Sequence, residues 1–146
     1  MLNPLGMIKA KAKKSLERDR AFEGRLTVLS RFLWPWDDAW LLPLVALLAA
    51  SDLISTYILL EVSGKAHVYE SGLLASWALN AGGFNGLYIM NAVAVGLICV
   101  IAVAARLFYG RFGLIGFART AYVAVLVPYA LAALAAVVNN LVLALI

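Results

Sequence analysis

Residues 41–60 read LLPLVALLAASDLISTYILL, a stretch with one charge in it, Asp52. A helix of about 20 apolar residues crosses the hydrocarbon of a bilayer, so this stretch reads as a membrane span. Two further runs qualify. Residues 87–107 are uncharged until Arg106, and residues 121–146 carry no charge. The last run is long enough to tilt or to extend past the membrane. A fourth run, residues 73–79, is too short to cross. Ser76 and Asn80 make it partly polar, and Gly82, Gly83 and Gly86 follow. It reads as a short interfacial or re-entrant helix between the first two spans, since non-helical backbone at that depth needs protein cover.

Composition agrees. Of 146 residues, 64% are apolar and 14% charged, against about 45–50% and about 25% in soluble domains. A soluble domain of this size could not hide that much apolar surface, which argues against a water-soluble enzyme, a nucleic-acid-binding domain or a disordered tail. The single cysteine, Cys99, excludes an intrachain disulfide and cysteine-based zinc or iron–sulfur motifs. It lies in an apolar run and reads as a packing residue. The first residues do not read as a cleaved signal peptide, because residues 9–31 are strongly charged and no apolar core precedes a small-residue cleavage site.

The chain divides into an arm, residues 1–36, and a three-span domain, residues 37–146. Residues 7–33 hold eight Lys or Arg with Glu17, Asp19 and Glu23. Phe22, Leu26, Leu29 and Leu33 recur at the spacing of one helical face. The arm is therefore expected to be a basic amphipathic helix lying on a membrane surface. Lys9, Lys11, Lys13, Lys14, Arg18 and Arg25 are its candidate contacts to anionic lipid or to a partner, at about 1 kcal/mol per well-placed basic residue. Pro35 breaks the helix, and Trp34, Trp36 and Trp40 sit where an interfacial aromatic belt belongs. Asp37 or Asp38 can cap the first span. Pro43 falls in its first turns, where a missing N–H costs little.

Charge placement predicts orientation. Residues 1–40 carry eight Lys or Arg; residues 61–86 carry only Lys65, against Glu61 and Glu70; residues 106–120 carry Arg106, Arg111 and Arg119 and no acid. The two basic regions are two spans apart and share a side. The positive-inside rule makes that side cytoplasmic. The expected protein lies in the cell (inner) membrane with its N-terminus inside and its C-terminus outside.

Asp52 is the most informative residue. A carboxylate in mid-span costs about 2.5–3.5 kcal/mol on insertion scales, and Ser55 and Thr56 follow it on the same helical face. Asn91, early in the second span, and Asn139 and Asn140, late in the third, are the other intramembrane polar groups. These six residues form either an ion, proton or solute site or a structural polar clamp between helices. Asp52 is expected to lie deeper than the amides unless the helices tilt. Glu61, His67 and Glu70 form a candidate outer-face polar site, with a solvated loop as the plainer alternative. Ala92 and Gly96, and Ala132 and Ala136, are small-residue pairs that allow close helix approach. Gly110, Gly113 and Gly116 read as turn and packing positions, since no Gly-Lys-Ser/Thr follows. No residue set reads as catalytic or metal-binding, and no cofactor is expected beyond bound lipids.

Asp52-Leu-Ile-Ser55-Thr56, Gly64, Glu70 and Val138-Asn139-Asn140 together resemble a family of uncharacterised short prokaryotic integral membrane proteins. That family has Asp followed by Ser/Thr in a span, Gly and then Glu in the next loop, and Asn in the last span. The resemblance covers about residues 45–145 and leaves the arm outside. Ser71-Gly72 stands where the family has Asn-Pro, and Asn91 where a basic residue is common. If that base pairs with the Asp, its replacement here favours the structural reading of Asp52. The resemblance implies a fold, since the family has no established activity.

The expected function is therefore a non-catalytic accessory or scaffold subunit of a larger prokaryotic membrane complex, with lipids and other transmembrane subunits as partners and no nucleic acid. Self-association stays open. The alternatives are a small ion or solute transporter component using Asp52, Ser55 and Thr56, and a membrane enzyme with an outer-face site.

Overall fold

A computed structural model describes residues 4–62 and 73–146, with side chains from 17–62 and 74–146. The described residues are almost wholly helical and contain no strand. Three helices are long and apolar enough to cross a membrane.

Helix α1 spans Pro4–Leu33. Proline suits a first turn, where its missing N–H has no partner to lose. The helix ends because Pro35 disfavours helical geometry at the residue before it; Trp34 makes the last bond, from its N–H to the Ser30 carbonyl at 3.0 Å. A tight turn follows. The Trp34 indole Nε1 donates to the Asp37 carbonyl at 3.0 Å, and Asp37 Oδ1 accepts from the Ala39 N–H at 2.9 Å. Asp37 thus caps the short 3-10 turn Asp38–Trp40, which leads into α2, Leu41–Tyr57. The last turn of α2 widens into a π-helical segment, Ile58–Val62.

Helix α3 runs from Leu73 to Arg111. Unbroken, it would be about 58 Å long at about 1.5 Å per residue, nearly twice the hydrocarbon thickness of about 30 Å. It breaks at Gly83, whose φ of 59° and ψ of −152° belong to glycine alone. The sequence predicts a short helix over residues 73–79 set apart by glycines. The structure instead carries helix through Gly82 and turns at one residue. Gly86 then lies directly against the Ala78 carbonyl, leaving no room for a Cβ. Phe84, just past the break, meets Tyr57 of α2 edge-on at 4.9 Å.

Helix α4 covers Ile115–Leu145, starting six residues before the predicted third span. Its link to α3 is a Schellman turn: Gly113 has φ 73°, the Leu114 N–H reaches the Tyr109 carbonyl at 3.1 Å, and the Gly113 N–H reaches that of Gly110 at 3.0 Å. Helix α4 packs most extensively of all, against α1, α2 and α3. The core is Leu41 and Val45 from α2, Ala102 from α3, Tyr122, Val123 and Leu126 from α4, and Trp34. Elsewhere large apolar side chains face outward, among them Leu47, Ile89, Val100 and Leu131. In water that surface would be untenable; around a membrane-embedded bundle it is the expected exterior.

Candidate functional site

The polar residues read from the sequence converge between α2, α3 and α4. The Asn140 amide Nδ2 donates to Thr56 Oγ1 at 2.9 Å, to Ser55 Oγ at 3.2 Å and to Asp52 Oδ1 at 3.4 Å. The Ser55 hydroxyl itself donates to the Asp52 carbonyl at 2.9 Å. From α3, the Asn91 amide donates to the Ala49 carbonyl at 3.3 Å. Ser55 and Thr56 are buried, Asp52, Asn91 and Asn140 half-buried, and Asn139 exposed. Asp52, Thr56, Asn91, Asn139 and Asn140 line one cavity of about 370 Å³, closed on one side by Ala75 from the first part of α3. Asp52 does not lie below all the amides: Asn140 reaches its layer. Two helices are thereby tied by one side chain, and a carboxylate, a hydroxyl and three carboxamides share a small polar space inside an apolar bundle.

The outer-face residues are not assembled. Glu61 is exposed in the π-helical segment, while His67 and Glu70 lie outside the described residues. The side chains of Lys9, Lys11, Lys13 and Lys14 also lie outside them. Arg18 and Arg25 are exposed, as are Trp36 and Trp40. Trp34 departs from the expected aromatic belt. It is only 8% exposed, sits in the core, and makes its indole hydrogen bond within the protein.

A second polar cluster, at the other end of the bundle, has no counterpart in the sequence reading. The Arg119 guanidinium donates through Nε to Asp38 Oδ1 at 3.0 Å, through Nη2 to the Trp34 carbonyl at 2.9 Å and through Nη1 to Ser30 Oγ at 3.4 Å. The Arg106 guanidinium sits 3.5 Å from Asp38 Oδ2 and lies over the Tyr122 ring at 4.8 Å. The Tyr122 hydroxyl donates to the Asp38 carbonyl at 3.4 Å. Both oxygens of one carboxylate are therefore engaged by arginines from two helices. Among the described residues no buried side-chain nitrogen or oxygen lacks a partner.

The arm joins this cluster through its polar face. Glu23 Oε1 accepts from the Gly116 N–H at 2.8 Å, placing a carboxylate on the free N–H groups that open α4. The Thr120 hydroxyl donates to the Leu26 carbonyl at 3.0 Å. Ser30 is fully buried, whereas Phe22, Leu29 and Leu33, three members of the predicted apolar face, are 53%, 50% and 41% exposed. Leu29 and Leu33 thus point away from the bundle, while Leu26 is half-buried and the Phe22 ring meets Phe117 of α4 at 5.7 Å. The side that docks most closely carries Glu23, Thr27, Ser30 and Trp34. The signal for this was present: these four also recur at helical spacing, and Arg106 and Arg119 flank the α3–α4 turn.

No protein-family model, curated protein or solved structure matches the chain.

Proposed function

We propose that this chain is a non-catalytic accessory or scaffold subunit of a larger prokaryotic membrane protein complex. The observation that carries the reading is how little of α3 is used internally. The most apolar stretch of that helix is 11% buried in the protein, against 28% for the other two spans. Its outward side includes Val93, Leu97 and Val100 together with the small residues Ala92 and Gly96. Small residues let another helix approach closely. The polar side chains, by contrast, hold the chain's own helices together: Asn140 ties α4 to α2, and Asp38, in the turn that leads into α2, ties that end of it to both arginines.

In this reading the chain lies in the cell inner membrane, with the Asp38–Arg119 end in the cytoplasm and the C-terminus outside. The gathering of Arg106, Arg119 and the arm at one end supports that orientation. The first part of α3, residues 73–82, is a re-entrant piece at the outer side, and the arm lies in the headgroup region with Phe22, Val28, Leu29 and Phe32 toward lipid. Alkaline phosphatase fused after Ile146 is expected to be active and, fused after Arg111, inactive.

The test is photo-crosslinking from Val93 and Val100 in native membranes. A discrete product with a different membrane protein supports the reading. A product of twice the monomer mass replaces it with self-association, and crosslinks to lipid alone refute it.

One observation favours a second reading. The cavity at Asp52 offers oxygen donors to a small cation or polar solute, which would make the chain part of a transporter. Asp52→Asn then abolishes flux without lowering expression; unchanged flux rejects it.

A further inference from the structure

Trp36 borders three cavities of different character. Toward the Asp38–Arg119 end lies a polar one of about 710 Å³, lined by Thr27, Arg31, Asp37, Asp38 and Arg119. On the other side are two apolar grooves that also share Trp34 and Leu44. One, of about 470 Å³, runs along α2 past Trp40, Pro43 and Leu47. The other, of about 440 Å³, is walled by Phe32, Leu48, Val127 and Leu131. The Trp36 ring is 64% exposed and braced edge-on against Trp34 at 4.8 Å. Tryptophan prefers the headgroup level of a bilayer, so the polar cavity stands at that level and the grooves extend into the hydrocarbon.

We infer that this is a built site for one phospholipid with a zwitterionic ethanolamine headgroup. The inference rests on the chain being membrane-embedded and is independent of its having partner subunits. One polar cavity and two adjoining grooves match a head and two acyl chains. The charges select the head. The cavity holds two arginines and two aspartates, with no net charge. Asp38 is already held by Arg119 and, from just outside the lining, by Arg106, whose charge the Glu23 carboxylate at Gly116 offsets. Among the described residues Arg31 and Asp37 form no ion pair, so one guanidinium is left for a phosphate and one carboxylate for an ammonium. A guanidinium matches phosphate geometry. An ethanolamine ammonium donates hydrogen bonds to a carboxylate, which a quaternary choline cannot. A net-anionic head would bring a charge that the cavity does not balance.

The experiment uses the full chain, delipidated and reconstituted with equal amounts of phosphatidylethanolamine, phosphatidylcholine and phosphatidylglycerol, and reads retained lipid by native mass spectrometry. The wild type is expected to keep one phosphatidylethanolamine about fivefold over either competitor, within the range that one net hydrogen bond supplies. Asp37→Asn keeps the acceptor for the Ala39 N–H, so the turn survives while the preference over phosphatidylcholine disappears. Arg31→Gln, at an exposed position, lowers retention of all three. Equal retention by the wild type, preference for phosphatidylglycerol, no retained lipid, or an unchanged preference in Asp37→Asn each overturns the proposal. Because no other protein is present, these outcomes leave the subunit reading to its own crosslinking test.

Discussion

Replacing Gly116 with alanine should release the arm from the bundle. A Cβ built there falls 2.8 Å from Thr27 Oγ1 and 3.1 Å from the Glu23 carbonyl oxygen, with the Glu23 Cγ closer still. The Glu23 side chain cannot simply swing aside, because its carboxylate is the acceptor for the Gly116 N–H. Relief therefore needs α1 to move off α4 or the capping bond to break. Overpacking of this kind costs about 1–3 kcal/mol, and a charge-assisted hydrogen bond lost at a half-buried site is worth about 1.5 kcal/mol. The two costs are alternatives and the cheaper one is taken, so the docked state should weaken by about 1.5 kcal/mol, about a 13-fold shift. Spin labels at Ala21 and Ile115, in a Cys99→Ser background in nanodiscs, read it by double electron–electron resonance. The wild type should give one narrow distance distribution and Gly116→Ala a second, longer one. Adding Thr27→Ala removes the 2.8 Å contact but leaves the backbone carbonyl, so recovery should be partial. An unchanged distribution in Gly116→Ala would refute the close-approach argument.

Arg119→Met strips three hydrogen bonds at once and leaves Asp38, only 13% exposed, with Arg106 alone. A loss of about 2–3 kcal/mol is expected, below the about 3–5 kcal/mol of a fully broken buried pair, seen as a lower melting temperature in mild detergent; Arg106→Met, at a 44% exposed side chain, should cost under about 1 kcal/mol. Asn140→Ala removes the amide that bridges α4 to Asp52, Ser55 and Thr56, and should destabilise by about 1–2 kcal/mol in the same melt. Asp52→Asn keeps an acceptor for that amide and should stay within about 0.5 kcal/mol of wild type. Gly83→Ala forces a Cβ into a conformation only glycine adopts and should cost about 1–3 kcal/mol; Gly86→Ala, against the Ala78 carbonyl, should open the bend, lengthening a spin-label distance between Trp77 and Tyr88.

The three spans were legible because apolar runs of that length admit one environment. The remainder needed information that a linear pattern lacks. The meeting of Asn140 with Asp52 depends on how α4 is inclined and rotated against α2, which spacing along one helix cannot report. The apolar run of the third span opens only at residue 121, after Arg119 and Thr120, whereas helix α4 runs through both, with Arg119 paired to Asp38. The docking of the arm was not legible for a physical reason: the pattern of Phe22, Leu26, Leu29 and Leu33 assigns an apolar face to a membrane surface, and nothing in that spacing says that the side carrying Glu23, Thr27 and Ser30 meets α4. The break at Gly83 was foreshadowed by the glycine pair, though its confinement to one residue was not.

The Glu23–Gly116 bond joins residues 93 positions apart, and that fixes an order of events during synthesis. The arm is made before any span, and its acceptor carboxylate has no N–H to meet until the last helix has begun. Until then the arm's polar face is undocked while its apolar face can already rest on lipid. The closing of the arm onto α4 thus cannot precede the start of the last helix, and it can occur only in a chain whose last span has started on the same side as its first residues.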